Sequence, residues 1–366
     1  MKIIPSSVQI LDNDWSIKGI FRAVEQAGRT CYKSVGTRYF RLPEGSKNSL
    51  ESNLIKQAQS DVRVVCKKGA DFDPAYYLSI PNKFISDYLN IEQFNEETFE
   101  DSPYYENLTA EDFVNMLIKS GHGAMLEHGT VYMQIDTFLD IPEDKKLDKR
   151  VHQYDSNRFT KVNSMYIGQG CWRYYITTNL RVLVENDWLD DLKYVCEPTE
   201  YHAKKITAKF ICDRGVSHEI VRHRGSYGMS YAQESTRYCN YSKDKFGQEL
   251  TFIEPAWEFP PSNTVNTFID PAWKFRSCSN ILDTRERFEA MLGEAEANYM
   301  ELITLGFKPQ EARAVLPNAL KTEIVVTGFI DDWKHFFELR CSNAAHPDIR
   351  KLALDLQNQF IDRNFI

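Results

Sequence analysis

The sequence predicts an α+β fold (mixed α/β): a central, mostly antiparallel sheet flanked by helices, with large insertions. Segments of strand period and of helix period alternate along the chain, yet without the regular strand–helix–strand rhythm of a parallel sheet. Of 366 residues, 42% are hydrophobic and 13% aromatic, ample for a packed core. Two polar stretches, at about 35–108 and 138–203, interrupt the pattern and read as insertions in one domain spanning 1–366.

Taken in order, Ile17, Ile20, Phe21 and Val24 recur at helical spacing and predict an amphipathic helix over 15–28, ending near Gly28-Arg29-Thr30. The first insertion has its own short elements, such as Pro81 to Leu89. Residues 109–120 read as a helix with Thr109 as its N-cap and Glu111 in the first turn. Ser120 to His128 reads as a loop into a strand from Val131 to Ile135, and 138–160, polar and charged, as loop. Tyr174 to Ile176 is β-type and Asn179 to Glu185 helical. Ile206, Ala208, Phe210 and Cys212 alternate with polar residues, the period of a strand. Gly215 to Arg222 opens a helix with Ser217 as cap. Residues 283–305 carry an apolar stripe (Phe288, Met291, Leu292, Ala295, Tyr299, Leu302, Ile303), with Gly306 where a helix end favours glycine. Thr322 to Thr327 is β-branched and strand-like, and helices follow at 331–340 and 347–360.

Composition excludes several classes. Lys and Arg number 44 against 52 Asp and Glu, a formal net charge of −8, which disfavours a general nucleic-acid coat. No apolar stretch reaches the ~20 residues of a membrane-spanning helix, and no basic n-region precedes an apolar run. The 8 cysteines are scattered with no CxxC pair, the pattern of thiols in a reducing compartment. A soluble, cytoplasmic protein is the expectation.

The densest chemical signal is residues 218–241, HEIVRHRGSYGMSYAQESTRYCNY. Arg222, His223 and Arg224 stand in succession, followed by Gln233, Glu234, Ser235 and Arg237. Guanidinium groups chelate phosphate oxygens through paired charge-assisted hydrogen bonds. By itself an RHR triplet marks a surface turn or a structural ion-pair network more often than a site. Arg313 and Arg340, far along the chain, sit among apolar neighbours and read as inward-facing, where an unpaired charge is costly. The histidines of HEIVRH are five apart, not the four of a zinc HExxH helix, and no GxGxxG follows a strand, so neither zinc nor a Rossmann site is indicated. The tyrosines of 227–241 read as packing.

The run RHR…QESTRY resembles the signature of flavin-dependent thymidylate synthases. Further blocks resemble that family in the same order: Glu25 to Lys33 (EQAGRTCYK), Gly121 to His128 (GHGAMLEH), Glu311 to Pro317 (EARAVLP), and Trp333 to Arg340 (WKHFFELR) with Ala345 to Arg350 (AHPDIR). Together these blocks and their flanks cover about half of the chain. Two departures stand out. Ten residues separate Arg224 from Ser235, more than the family's common spacing, and Asp331 and His335 stand where some relatives carry a basic residue and an asparagine beside FAD.

The resemblance implies homotetramers with shared active sites that use FAD, NADPH and methylenetetrahydrofolate to convert dUMP to dTMP. It places Arg222, His223 and Arg224 on FAD, with His128, Thr130, Gln233 and His335 beside it. Glu219, Arg222, Gln233, Glu234, Ser235 and Arg237 would surround dUMP, the last two at its phosphate. Arg313 would hold the nucleotide and Arg340 would face the uracil, as the catalytic residue. A fixed cation there favours negative charge on the base and makes C5 nucleophilic. No protein nucleophile and no metal is needed, and Cys239 and Cys341 read as packing residues. Two other readings share these residues: a dUMP hydroxymethylase on the same scaffold, and a non-catalytic nucleotide- or RNA-binding protein.

Overall fold

The computed structural model describes residues 1–34, 109–138, 141–224, 228–243, 247–261 and 283–366, together with four strands between 35 and 108. In chain order the elements begin with β1 (Lys2–Ile4), β2 (Ser7–Ile10) and α1 (Ile17–Tyr32). Next come β3 (Thr37–Arg41), β4 (Arg63–Lys68), β5 (Pro74–Pro81), β6 (Tyr105–Glu106), α2 (Thr109–Lys119), α3 (Gly123–Leu126) and β7 (Thr130–Phe138). Residues 138–203 contribute α4 (Pro142–Asp155), β8 (Lys161–Gly168), β9 (Cys171–Asn179) and α5 (Leu180–Glu185). The remainder is β10 (Lys205–Asp213), α6 (Arg214–Ile220), β11 (Ser230–Gln233), β12 (Thr251–Ile253), α7 (Thr284–Thr304), α8 (Pro309–Ala312), β13 (Lys321–Phe329), α9 (Ile330–Arg340) and α10 (Pro347–Asp362).

The expected α+β class holds. The central sheet runs β11-β13-β10-β2, antiparallel throughout. A second sheet, β4-β5-β3-β6, lies within residues 35–108; a third, β7-β9-β8, joins two strands of residues 138–203 to the strand after His128. Only β1 and β12 pair in parallel among the described strands.

Alternation in β10 and β13 gives the central sheet two different faces. Ile206, Ala208, Phe210, Ile324 and Val326 meet Trp333, Phe336, Phe337, Ile349, Leu352 and Phe360 from α9 and α10 in one buried cluster. Trp333 is wholly buried and its indole N–H donates to the Ile206 carbonyl at 3.1 Å. On the other face Ala232 and Val325 pack with Ala27 of α1. Helix α1 starts at Ser16, whose hydroxyl accepts the Gly19 amide at 3.1 Å. It buries Ile20, Val24 and Ala27 at i, i+4 and i+7, and ends on Lys33 at φ 46, in the left-handed region. Lacking a side chain, Gly28 lets the Phe113 ring of α2 lie against the helix backbone.

Several elements differ from the sequence reading. Helix α1 runs through Gly28-Arg29-Thr30 to Tyr32, one turn further than expected, because Ala27, Gly28 and Thr30 are still covered. Thr109 lies inside its helix rather than flanking it, and α3 occupies part of the expected loop. The region 138–160 contains α4. Pro142 and two acids open it, and only a thin stripe of Leu147, Val151 and Tyr154 faces the core. The cap of α6 is Asp213, which accepts the Val216 amide at 2.7 Å, whereas Ser217 donates back to the Arg214 carbonyl. In α7 only Leu292 and Tyr299 of the predicted stripe are buried, and Met291 points outward at 56% exposure. Gly306 follows the helix end at φ 95, as predicted. Residues 82–89, expected within a short element from Pro81 to Leu89, lie outside the described residues.

Candidate active site

The chain-distant blocks meet at the end of the central sheet, where α6, β11 and α9 converge. Arg340, the last residue of α9, reaches back to α6. Its Nε donates to His223 Nε2 at 2.7 Å, Nη1 to the Glu219 carboxylate at 2.5 Å, and Nη2 to the Glu219 carbonyl at 3.2 Å. A guanidinium has five N–H donors, so a ligand can still be met by those left over. His223 packs edge-on against Phe336 at 4.9 Å. Burial first, and the Arg340 cation second, lower its pKa to about 4, so it is neutral and accepts from Arg340 at Nε2. Tyr231 donates to the His223 carbonyl, fixing the chain just after α6.

Gln233 and Glu234 are adjacent but lie on opposite sides of the strand. The Gln233 amide donates to Ser217 on α6 at 2.8 Å and to Thr322 at 3.2 Å. Glu234, 3% exposed, accepts from Lys321 at 3.0 Å and from Tyr241 at 3.1 Å. Lys321 also reaches Glu323, as do Lys33 and Lys209, so three ammonium groups and two carboxylates form one network. Burial opposes charge on Glu323, but hydrogen bonds from Lys209 and Lys321 outweigh it and hold the carboxyl well below its ordinary range.

Ser235 is tied to the first block: its amide donates to the Cys31 carbonyl at 2.9 Å. Its hydroxyl accepts the Arg237 amide at 3.3 Å, and Arg313 donates to Thr236 at 3.1 Å. Ser235, Arg237 and Arg313 thus gather on one short turn. Arg313 is exposed, contrary to the inward placement expected from its apolar neighbours, because the turn after α8 carries it to the surface. Arg222, Arg224 and Arg237 are exposed too, whereas Arg340 is only partly so. The structure also brings Tyr32 and His122 together, with the hydroxyl 3.0 Å from Nδ1, and sets Tyr238 at 5.4 Å from Tyr32. Neither Tyr32 nor His122 was singled out from sequence, since nothing local links residues ninety apart.

On the opposite face His128 is 2% exposed, and its Nδ1 lies 2.9 Å from the Thr327 hydroxyl. Burial, then the nearby Lys205 charge, lower its pKa to about 3. Thr130 opens β7 two residues on and is buried. His335 is exposed on α9, 6.4 Å from the His223 ring. Around Thr327 and Phe329, four buried atoms have no hydrogen-bond partner: His128 Nε2, Lys205 Nζ, Ser230 Oγ and Asp332 Oδ2. Ser230 is paired across the sheet with Thr327, and Lys205 with Phe329, which its ammonium overlies at 4.8 Å. Unmade bonds of this kind cost about 1–3 kcal/mol each. Among the described residues no cluster suits a metal ion, and no helix is long and apolar enough to cross a membrane.

Residues 197–363 match the family model described as thymidylate synthase complementing protein. The chain is also similar to proteins named flavin-dependent thymidylate synthase. That of Pyrococcus furiosus is 30% identical over 155 residues, 42% of this chain and 53% of the relative. That of Mycolicibacterium vanbaalenii is 36% identical over 151 residues, 41% of this chain and 54% of the relative. A longer match, to Mycobacteroides abscessus, is 27% identical over 201 residues, covering 54% and 74%. The chain spans about half the length of the first of these curated relatives. The matched residues 197–363 carry the RHR run, the Ser235–Arg237 turn, Arg313 and Arg340, and it is in this part that the chain is similar to the thymidylate synthase complementing protein family.

Proposed function

We propose that the protein is a flavin-dependent thymidylate synthase that converts dUMP to dTMP with FAD, NADPH and methylenetetrahydrofolate. The observation that carries this reading is Arg340, a cation fixed in place by Glu219 and His223. Ser235, Arg237 and Arg313 would bind the phosphate of dUMP, with Gln233 and Glu234 shaping the strand between phosphate and base. Arg340 would lie along the uracil edge and stabilise the negative charge that develops on the ring as C5 becomes nucleophilic. Because Glu219 and His223 already hold its guanidinium, little reorganisation is needed when that charge appears. The unpartnered His128 Nε2, Lys205 Nζ, Ser230 Oγ and Asp332 Oδ2 offer both donors and acceptors, as a flavin nucleotide requires. Arg222, His223, Arg224, Thr130 and His335 would complete that cofactor's site. FAD, when bound, supplies the hydride chemistry that the side chains lack.

In this reading residues 1–366 act as one catalytic domain in a cytoplasmic homotetramer whose subunits complete one another's sites. The exposure of Arg222, Arg224, Arg237 and Arg313 on the single chain supports that assembly. The test is visible absorption of the purified protein, followed by NADPH and dUMP without oxygen. A yellow protein that bleaches, and then yields a product of dTMP mass with methylenetetrahydrofolate, is expected. A hydroxymethyl product would overturn the reaction but keep the scaffold. A colourless protein that takes up no FAD would point to a nucleotide- or RNA-binding role instead.

A further inference from the structure

The insertion at 138–203 touches three separate parts of the candidate site. Arg181 pairs with Glu127, the neighbour of His128, at 2.5 Å. The Phe159 ring, flanked by Arg158 at 4.5 Å and Arg181 at 5.8 Å, lies against Gly228 in the lengthened loop after Arg224. Lys161, at the start of β8, donates to Asp331 in the first turn of α9 at 2.9 Å, and its ammonium lies 4.7 Å from the Phe329 ring centre. Phe329 is the ring that Lys205 also overlies. Acidic residues open α9, the helix that carries His335 and Arg340, and the insertion brings a cation to meet them. Gly228 and Asp331 both face this insertion.

We propose that the 138–203 insertion forms one wall of the cofactor site, in which Lys161 presents the cation that contacts a phosphate of the bound dinucleotide beside Asp331. The inference rests on the flavin reading above and adds a residue to it. Lys161 is well placed for the role. Its side chain is 17% exposed, so the contact is only weakly screened, while Asp331 at 70% exposure can swing aside to solvent. Arg181 and Phe159 then act as positioning residues that hold the insertion against Glu127 and the loop.

The test is titration of the flavin-free full-length protein with FAD, followed by flavin fluorescence, for wild type, Lys161→Met and the double variant Lys161→Met/Asp331→Lys, with thermal melts of each. A charge-assisted phosphate contact predicts about a tenfold weaker FAD affinity in Lys161→Met and a shallower salt dependence. Moving the cation to position 331 restores both. Wild-type affinity within twofold in Lys161→Met, or no rescue in a double variant that melts normally, overturns the proposal even if wild type binds FAD. Failure of the wild type to bind FAD sinks the flavin reading as well, so the two failures are distinguishable.

Discussion

Replacing Arg340 with methionine tests the centre of the site, because it keeps a long stem and removes three hydrogen bonds with their charge. Two readouts follow. His223 is held at about 4 by burial first and by Arg340 second, so losing the cation raises its pKa while burial keeps it below 6.5. Stability falls as well. Bonds to charged groups contribute roughly 1.5–3 kcal/mol each when fully buried, but these side chains are 17% and 26% exposed, so a net loss of about 2 kcal/mol is expected. An NMR pH titration of the His223 ring, assigned by its loss in His223→Gln, reads the first effect; urea unfolding reads the second. If Arg340 acts on the base as proposed, dTMP formation drops by about 10²–10³ while FAD still binds. An unmoved His223 titration together with an unchanged urea midpoint would refute the account of Arg340.

Three further outcomes are expected. His128 and His223 sit at about 3 and about 4 when folded, against 6.5 ordinarily, so they bind fewer protons folded than unfolded; their contribution is whole above pH 6.5 and is lost as pH falls through 4 and then 3. Urea midpoints should therefore decline steadily from pH 7 to 4.5, and a flat profile would contradict the neutral buried rings. In Gly28→Ala the new methyl would lie 2.5 Å from Phe113 Cε1, so a loss of about 1–3 kcal/mol in urea unfolding is expected despite the better helix former; a gain would show that the ring yields freely. Lys205 is 2% exposed with an unpartnered ammonium, and burial lowers its pKa to about 8. Lys205→Met should raise the melting temperature of the flavin-free protein, by about 1–3 kcal/mol of stability. A lower melting temperature would mean the charge has a partner that stabilises it.

Much of the fold is legible where burial is one-sided and dense. The alternation of Ile206, Ala208, Phe210 and Cys212 and the spacing of Ile349, Leu352, Ala353 and Leu356 announce their elements because each faces the same aromatic layer. Helix α4 escapes notice because three apolar residues are its whole stripe in an otherwise charged segment. Strand β8 escapes for a related reason: as the edge of its sheet it buries no residue fully, so its sequence does not alternate. At the site, residue types are readable but their pairings are not. Nothing near Arg340 in sequence indicates that it will hold His223, or that Lys161 will meet Asp331, since both contacts are made by topology. Exposure was misjudged at Arg313 for the same reason: apolar neighbours in a three-residue 3-10 turn do not define an inside.

Strand β13 imposes a strict rule on chain length. It is paired on both sides, with β10 and β11, and its residues point alternately to the aromatic layer and to His128. Deleting one residue between Ile324 and Phe329 would exchange those two sets, sending Thr327 into the aromatic layer and an apolar side chain toward His128. Because α9 begins at the next residue, the same deletion would also turn Arg340 by about 100° around its helix, away from Glu219. The chain accommodates a whole helix-and-sheet segment between β7 and β10, where its ends simply rejoin. Along β13 it can absorb no single-residue change in length, so natural variation in this protein should be long in the one place and silent in the other.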